Sequence, residues 1–157
     1  MREEASLVTE QLTFRSDRPQ TGLLCNRKMA SMPRKKRILI VDDDTSFTRL
    51  LKLNLEQTNL YAVRVENKAS RALATAREFL PDLMLLDVMM PEMDGGDLAA
   101  QAQDDPVLKS IPIVFLTAAV ERNEVGSHGR RIGGLPFLAK PADLKEVMGC
   151  IEKYARP

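Results

Sequence analysis

The fold is decided by the stretch Leu83-Met84-Leu85-Leu86-Asp87-Val88-Met89-Met90-Pro91-Glu92-Met93-Asp94-Gly95. Its four leading apolar residues predict a strand buried on both faces of a parallel sheet, with Asp87 at the carboxyl end of that strand. Ligands of open α/β sheets bind at that edge. Taken alone, Asp87 is as typical of a helix cap or a turn as of a nucleophile or metal ligand. The other segments of the chain therefore have to decide its role.

Composition excludes several classes of protein. The 157 residues are enough for one domain with a hydrophobic core. No apolar run approaches the roughly 20 residues of a membrane span, and the N-terminus lacks the apolar core of a secretory signal. Cys25 and Cys150 are too few for a disulfide framework or a zinc site, and His128 alone cannot form a histidine metal cluster. We therefore expect a cytoplasmic, reducing setting without membrane contact.

The first 36 residues differ in character from the rest of the chain. They show no sustained apolar period and hold eight Lys or Arg against four Asp or Glu, whereas residues 37–157 hold fifteen against eighteen. We predict a disordered or weakly ordered leader over residues 1–36 and one folded domain over residues 37–157. The leader runs into the basic cluster Arg34-Lys35-Lys36-Arg37, which could contact nucleic acid or acidic lipid but is more typical of a solvated flank. The mildly acidic folded part does not indicate DNA binding. Met29 and Met32 are alternatives to Met1 as the translation start.

Strand and helix patterns alternate along the folded part. Apolar runs predict strands at residues 38–41, 60–65, 82–86, 111–116 and 137–139. Helical patterns separate most of them, with stripes through Phe47, Leu50, Leu51 and Leu55, then through Ala69, Ala72, Leu73 and Ala76, then over residues 97–103, and finally through Leu144, Val147, Met148 and Ile151. This alternation predicts right-handed crossovers and a parallel sheet that is covered on both faces.

Polar residues follow four of the predicted strands where each strand ends. Asp42 and Asp43 follow the first strand, Asp87 the third, Thr117 the fourth and Lys140 the fifth. The carboxyl ends of parallel strands share one edge of the sheet, so these side chains should converge. Three carboxylates repel one another and favour a cation, and a half-open site of oxygen ligands suits Mg²⁺. With Lys140 and Thr117 as phosphate partners, the set has the parts needed for phosphoryl transfer to the Asp87 carboxylate.

Together these motifs resemble the receiver domain of two-component response regulators. Four segments carry the resemblance and span the predicted domain: Ile38-Leu39-Ile40-Val41-Asp42-Asp43-Asp44, Leu85-Leu86-Asp87-Val88-Met89-Met90-Pro91-Glu92-Met93-Asp94-Gly95, Leu116-Thr117-Ala118 and Phe137-Leu138-Ala139-Lys140-Pro141. The resemblance implies an α/β, flavodoxin-like (βα)5 doubly wound parallel sheet with strand order 2-1-3-4-5, as in chemotaxis regulators. It also implies a phosphoacceptor with self-catalysed phosphorylation and dephosphorylation, not a turnover enzyme.

The resemblance assigns the acceptor and the metal ligands. It implies that Asp87 accepts a phosphoryl group from a histidine kinase or a histidine phosphotransfer protein. Asp43, Asp87 and the backbone carbonyl of Met89 would bind Mg²⁺ directly, and Asp42 would act mainly through water.

The remaining roles concern the response to phosphorylation. By resemblance, Thr117 hydrogen-bonds the phosphoryl group and Lys140 pairs with it. Phe137 matches the aromatic switch, which rotates inward when phosphate draws Thr117 toward it. Pro141 matches a position that is often preceded by a cis peptide bond.

Two positions that influence phosphate loss in this family are apolar here. Met89 lies two residues beyond Asp87, and Ala119 lies two residues beyond Thr117. Neither side chain can usefully hydrogen-bond an attacking water. We therefore predict a long-lived phosphoryl group on Asp87, although shielding of the site by Met89 would give the same result.

The segment from residue 118 to residue 136 departs further from the family pattern. Four glycines crowd it, namely Gly126, Gly129, Gly133 and Gly134, and each costs about 1 kcal/mol in a helix relative to alanine. The fourth helix of the family should therefore be short, broken or mobile here. A downstream target or a phosphorylation-dependent dimer need not use the usual face, and His128 is more typical of a plain loop residue than of a pH sensor.

Two other classes of protein stay open at this point. A Mg²⁺-dependent phosphatase of the haloacid-dehalogenase kind has Asp-x-Asp-x-Thr after its first strand, which residues 42–46 match only loosely, and it would use Asp42 as nucleophile. A pseudo-receiver that binds partners without phosphorylation would not need Asp87, Thr117 and Lys140. The sequence does not name the kinase or the target, and it allows either a stand-alone receiver or a fragment of a longer regulator.

Overall fold

The sheet follows the alternation of apolar runs along the chain. The computed structural model describes residues 34–118 and 131–157. The strands in this part are β1 Lys36–Val41, β2 Tyr61–Glu66, β3 Leu83–Asp87, β4 Ile113–Thr117, β5 Arg131–Ile132 and β6 Leu135–Ala139. The parallel strands run in the order β2-β1-β3-β4-β6, and β5 is added antiparallel at the edge beside β6. The predicted doubly wound sheet and its 2-1-3-4-5 order of parallel strands are confirmed.

Helices cover both faces of this sheet. The described part contains α1 Thr45–Gln57, α2 Ala69–Phe79, α3 Gly95–Asp104 and α4 Leu144–Tyr154. Leucines of α1 and apolar residues of α4 pack in one core cluster, whereas α2 and α3 contribute to a second cluster on the opposite face. Among these helices, none combines the length and apolar character that crossing a membrane would require.

The alternation of side chains along β1 and β3 decides which way the acidic residues face. Ile38 and Ile40 of β1 lie in the cluster beside α1 and α4, while Leu39 and Val41 lie in the other cluster. In β3, Leu85 and Leu86 divide in the same way. Successive side chains of a strand point to opposite faces. Asp42, which follows Val41, and Asp87, which follows Leu86, are therefore on the face of the sheet that α1 and α4 cover.

The last parallel strand is longer than the sequence predicted. It begins at Leu135 instead of residue 137, and the short β5 pairs with it as a hairpin. Gly133 and Gly134 connect the two strands with φ angles of 55° and 84°, a conformation that glycine adopts without steric cost. These two glycines therefore form a turn. The predicted short or broken helix, Ala119 and His128 concern residues 119–130, which lie outside the described residues, as do residues 1–33.

Part of the basic cluster at residues 34–37 is built into the fold. Asp82 is buried at the entrance to β3, and its Oδ2 accepts a hydrogen bond of 2.7 Å from the backbone N–H of Arg37. Its Oδ1 lies 3.0 Å from the guanidinium of Arg34, whose side chain is 58% exposed. Asp82 thus ties the beginning of β1 to the beginning of β3.

Replacing Asp82 by alanine should destabilise the domain much more than replacing Arg34. Asp82→Ala leaves the part-buried Arg37 N–H without its acceptor, which costs up to about 1–3 kcal/mol. Arg34→Ala removes an ion pair whose guanidinium is mostly exposed and leaves the hydrogen bond between Asp82 and the Arg37 N–H intact, so we expect a loss of about 1 kcal/mol or less. Urea unfolding of both variants, followed by circular dichroism, measures the difference. Equal losses would contradict the role given to the backbone hydrogen bond.

Candidate functional site

The carboxyl edge of the sheet brings the predicted acidic residues together. Asp42 and Asp43 directly follow β1, and Asp87 is the last residue of β3. One carboxylate oxygen from each of the three lies within 4.8 Å of the other two. Asp42 and Asp87 are buried, whereas Asp43 is exposed. The cluster is therefore lined by two buried carboxylates and is open to water on the side of Asp43, which suits a hydrated divalent cation.

Lys140 reaches this cluster from the end of β6. Its Nζ lies 2.5 Å from Oδ2 of Asp42 and 3.4 Å from Oδ1 of Asp87. Only 17% of its side chain is exposed, so these contacts are weakly screened by water. Lys140 is thus placed as predicted, although its closest partner in this structure is Asp42 and not the expected phosphoacceptor.

Asp42 is fixed by bonds to all its oxygen atoms. Besides the contact of Oδ2 with Lys140, Oδ1 accepts a hydrogen bond of 3.0 Å from the backbone N–H of Asp44. Its backbone carbonyl accepts one of 2.6 Å from Nδ2 of Asn67, which also donates to the hydroxyl of Thr48 at 3.1 Å. A fully buried carboxylate held in this way is a poor nucleophile. The arrangement argues against the phosphatase reading, which requires attack by Asp42.

The Asp87 carboxylate lies in an environment that disfavours its charge. Burial is the largest effect and raises the pKa of Asp87, and the negative charge of Asp42 raises it further. Lys140 and a hydrogen bond from the backbone of Met89 lower the pKa, but they do not compensate fully. The site therefore has too little positive charge for its acidic residues, and an added cation would relieve the deficit.

The predicted response residues lie next to this edge. Thr117 is fully buried at the end of β4, and its carbonyl accepts a hydrogen bond of 2.8 Å from the backbone N–H of Lys140. Phe137 is 8% exposed and pairs in register with Phe115, in the core cluster beside α2 and α3. The aromatic residue is therefore in an inward position here. The peptide bond before Pro141 is cis, as the resemblance implied.

Gly95 shapes the loop that leaves Asp87. A Cβ at this position would overlap with the backbone carbonyl oxygen of Asp87 and lie 2.9 Å from Cα of Val88. Its N–H donates a hydrogen bond of 2.9 Å to the carbonyl of Val88. The close approach of two backbones requires glycine here. Met89 lies in this loop with 66% of its surface exposed, at the rim of a cleft that Asp43 also lines.

Sequence reasoning gave no site role to Phe47, Asn67 or Gly95. Phe47 was read only as part of an apolar helical stripe, yet its ring lies 4.8 Å from Nζ of Lys140. Asn67 is 25 residues from its partner Asp42, so no local pattern indicates the contact. Gly95 did carry a signal, because a glycine eight residues beyond a strand-end aspartate, after a proline, marks a tight return of the chain.

Comparison with known proteins agrees with this geometry. The model of the response regulator receiver domain family matches residues 38–152. The chain therefore belongs to this family of two-component signalling domains.

Individual relatives share the same part of the chain. It is 42% identical over 107 residues to the response regulator PleD of Caulobacter vibrioides, covering 68% of this chain but 23% of PleD. It is 36% identical over 117 residues to an uncharacterised 14.6 kDa protein of Leptolyngbya boryana, covering 74% of this chain and 88% of that protein. The structure of the chemotaxis response regulator CheY4 of Vibrio cholerae matches with a TM-score of 0.65 and 25% identity, over 77% of this chain and 99% of CheY4.

Adding a methyl group at Gly95 should destabilise the protein and disturb the site. Gly95→Ala forces the backbone of residues 87–88 to move, at a cost of about 1–3 kcal/mol. Gly149→Ala is the matched control, because Gly149 is an exposed residue inside α4 with open space around its Cα. That change should stabilise the helix by about 0.5–1 kcal/mol. Thermal unfolding should show a lower melting temperature for Gly95→Ala and a higher one for Gly149→Ala. An unchanged melting temperature for Gly95→Ala would contradict the close approach of Gly95 to the backbone of residues 87–88.

Replacing Asp87 by asparagine should stabilise the metal-free protein at neutral pH. A folded-state pKa raised above the unfolded value means that stability is lost as pH rises through the interval between the two values. Asparagine cannot ionise, so Asp87→Asn removes this loss. The gain in melting temperature over wild type, measured in EDTA, should be largest near pH 7 and shrink as the acid range is entered. A lower melting temperature for the variant at pH 7 would refute this electrostatic reading.

Proposed function

We propose that the domain is a two-component signalling switch that accepts a phosphoryl group on Asp87 in a Mg²⁺-dependent reaction. A histidine kinase or a histidine phosphotransfer protein would be the donor. The observation that carries the proposal is the position of Asp87 at the sheet edge, with Lys140 3.4 Å away and with Asp42 and Asp43 within 4.8 Å. A carboxylate, a lysine and a cation-binding acid pair are what phosphoryl transfer to aspartate needs.

The proposed chemical step is an in-line transfer to the Asp87 carboxylate. An oxygen of the Asp87 carboxylate attacks the phosphorus atom and forms an acyl phosphate bond. The bond between phosphorus and the donor's histidine nitrogen breaks, and the nitrogen keeps the electron pair. Lys140 would offset the negative charge of the transferred oxygens, because its ammonium already lies beside Asp87.

The donor atoms present fit Mg²⁺. Asp43 and Asp87 would ligate the ion through their side chains and Met89 through its backbone carbonyl, with Asp42 acting mainly through water. Hard oxygen ligands and an open, hydrated side match the preference of this ion. Bound Mg²⁺ would add positive charge to a cluster in which three carboxylates have Lys140 beside them.

Phosphorylation would change a surface that binds other proteins. It would not yield a product that leaves the domain. Thr117 would bind the phosphoryl group, and Phe137 would respond through the neighbouring strands β4 and β6, which are in register at Thr117 and Ala139.

The catalytic groups would serve the domain's own phosphorylation and dephosphorylation. We propose that this exchange takes place in the cytoplasm. The chain spans about a quarter of PleD, so no output activity is carried over.

The phosphorylation site can be identified chemically. Acetyl phosphate with Mg²⁺ should add one phosphoryl group to the wild-type chain and none to Asp87→Asn, as seen by intact mass. Borohydride reduction of the acyl phosphate followed by peptide mapping then identifies the modified residue. Asp94→Asn, which changes an exposed helix cap, is the control and should be phosphorylated normally. Modification of Asp42 would instead support the phosphatase reading, and no Mg²⁺-dependent modification would support a pseudo-receiver.

Met89 should prolong the phosphorylated state. Asparagine at this exposed position can hold a water near the phosphoryl group, so Met89→Asn should accelerate phosphate loss severalfold. The half-life of the acyl phosphate after removal of the donor is the measurement.

Two further variants separate the reasons for slow loss. Met89→Leu keeps an apolar side chain of similar size and should leave the half-life unchanged. Met89→Ala removes the bulk without adding a polar atom. If Met89→Ala accelerates phosphate loss as much as Met89→Asn, Met89 acts by shielding the site from water.

A further inference from the structure

Phe47 contacts the lysine of the site from the first turn of α1. The centre of its ring lies 4.8 Å from Nζ of Lys140. This distance is within the roughly 6 Å at which an aromatic face attracts a cation. The pair brings together residues 93 positions apart in the sequence, and the lysine is mostly shielded from water. Shielding strengthens the attraction, because the ammonium is poorly solvated.

The ring is held by contacts other than those with the three carboxylates of the acidic cluster. The side chain of Asp44 caps α1 and accepts hydrogen bonds from the backbone N–H groups of Ser46 at 2.9 Å and Phe47 at 3.0 Å. The ring itself packs against the core cluster beside α1 and α4. The helix cap holds the backbone of Phe47, and packing against the core cluster holds its ring.

The two carboxylate partners of Lys140 differ from the ring in one respect. Asp42 and Asp87 also belong to the acidic cluster that could hold a metal ion. A divalent cation there would compete with Lys140 for negative charge and would repel its ammonium. A phenyl ring offers no ligand atom to such an ion. Lys140 has contacts with Asp42, Asp87 and Phe47. A cation in the cluster would directly weaken the first two contacts but not the contact with Phe47.

We propose that Phe47 is a positioning residue for phosphoryl transfer, whose ring keeps the ammonium of Lys140 beside Asp87 when a cation occupies the acidic cluster. This inference rests on the proposed function. It predicts that the rate of phosphorylation depends on the electron density of the ring face as well as on the size of the side chain.

The contact itself is tested on the full chain without metal or phosphodonor. In NMR spectra, the Cε protons of Lys140 should be shifted upfield by the ring current of Phe47. Phe47→Leu should move these resonances to the usual lysine position. Unshifted Lys140 protons in the wild-type chain would overturn the proposal, since the ring would then not face the ammonium in solution.

The role in the reaction is tested with fluorinated phenylalanines. Single-site incorporation of mono-, di- and trifluorophenylalanine at position 47 withdraws electron density from the ring face with little change in size. The rate of phosphorylation by acetyl phosphate, at a Mg²⁺ concentration that saturates wild type, should fall stepwise along the series. Phe47→Leu should lower the rate at least about two- to fivefold, which is the ratio for an exposed cation–π contact, because the shielding of Lys140 strengthens the attraction. A flat fluorine series combined with a slow Phe47→Leu would overturn the proposal in favour of packing alone.

The chain offers a matched control for this series. Phe79 at the end of α2 lies under the guanidinium of Arg64, with 5.0 Å between Cζ and the ring centre, in the core cluster on the opposite face of the sheet. The same fluorinated residues at position 79 should leave the rate unchanged, and a parallel fall there would overturn the proposal. If the wild-type chain is not phosphorylated on Asp87, the proposed function fails and this role fails with it. If Asp87 is phosphorylated but the rate does not change along the fluorine series at position 47, only the proposed role of Phe47 is refuted.

Discussion

The site depends on the contact between Lys140 and Asp42, which joins residues 98 positions apart. Asp42 is fully buried and Asp87 nearly so, and a buried carboxylate is costly unless a positive charge or hydrogen bonds compensate it. Lys140 provides one positive charge for these two residues and for the exposed Asp43. Because the compensation is incomplete, the pKa of Asp87 is raised. The same deficit that costs stability makes the edge receptive to a cation.

The architecture of the sheet could be predicted because buried strands and helix faces leave recognisable patterns of apolar residues in the sequence. Strands that are covered on both faces appear as unbroken apolar runs, and those around Ile40, Leu85 and Val114 are separated by helical stripes. Once the strands are known to be parallel, their carboxyl ends must share one edge. The convergence of Asp42, Asp87 and Lys140 therefore follows from topology and needs no knowledge of side-chain conformation.

Contacts that depend on side-chain direction across different elements could not be predicted in this way. A phenylalanine in an apolar stripe reads as a core residue, and Phe47 is partly that, yet its ring also faces Lys140. Asn67 in a loop reads as a turn residue, yet it holds the carbonyl of Asp42. The start of β6 was missed because Pro136 interrupts its apolar pattern, although a proline is tolerated in a strand near the sheet edge.

The two distances from Lys140 also bear on the order of events that we propose at the site. Lys140 lies closer to Asp42 than to Asp87, so its charge mainly offsets that of Asp42. A cation bound among the carboxylates would neutralise Asp42 in its place and free the ammonium to act at Asp87. We therefore expect cation binding to precede productive phosphoryl transfer. The distances in the cluster favour this order because one ammonium cannot be in close contact with both carboxylates while it also pairs with incoming phosphate oxygens.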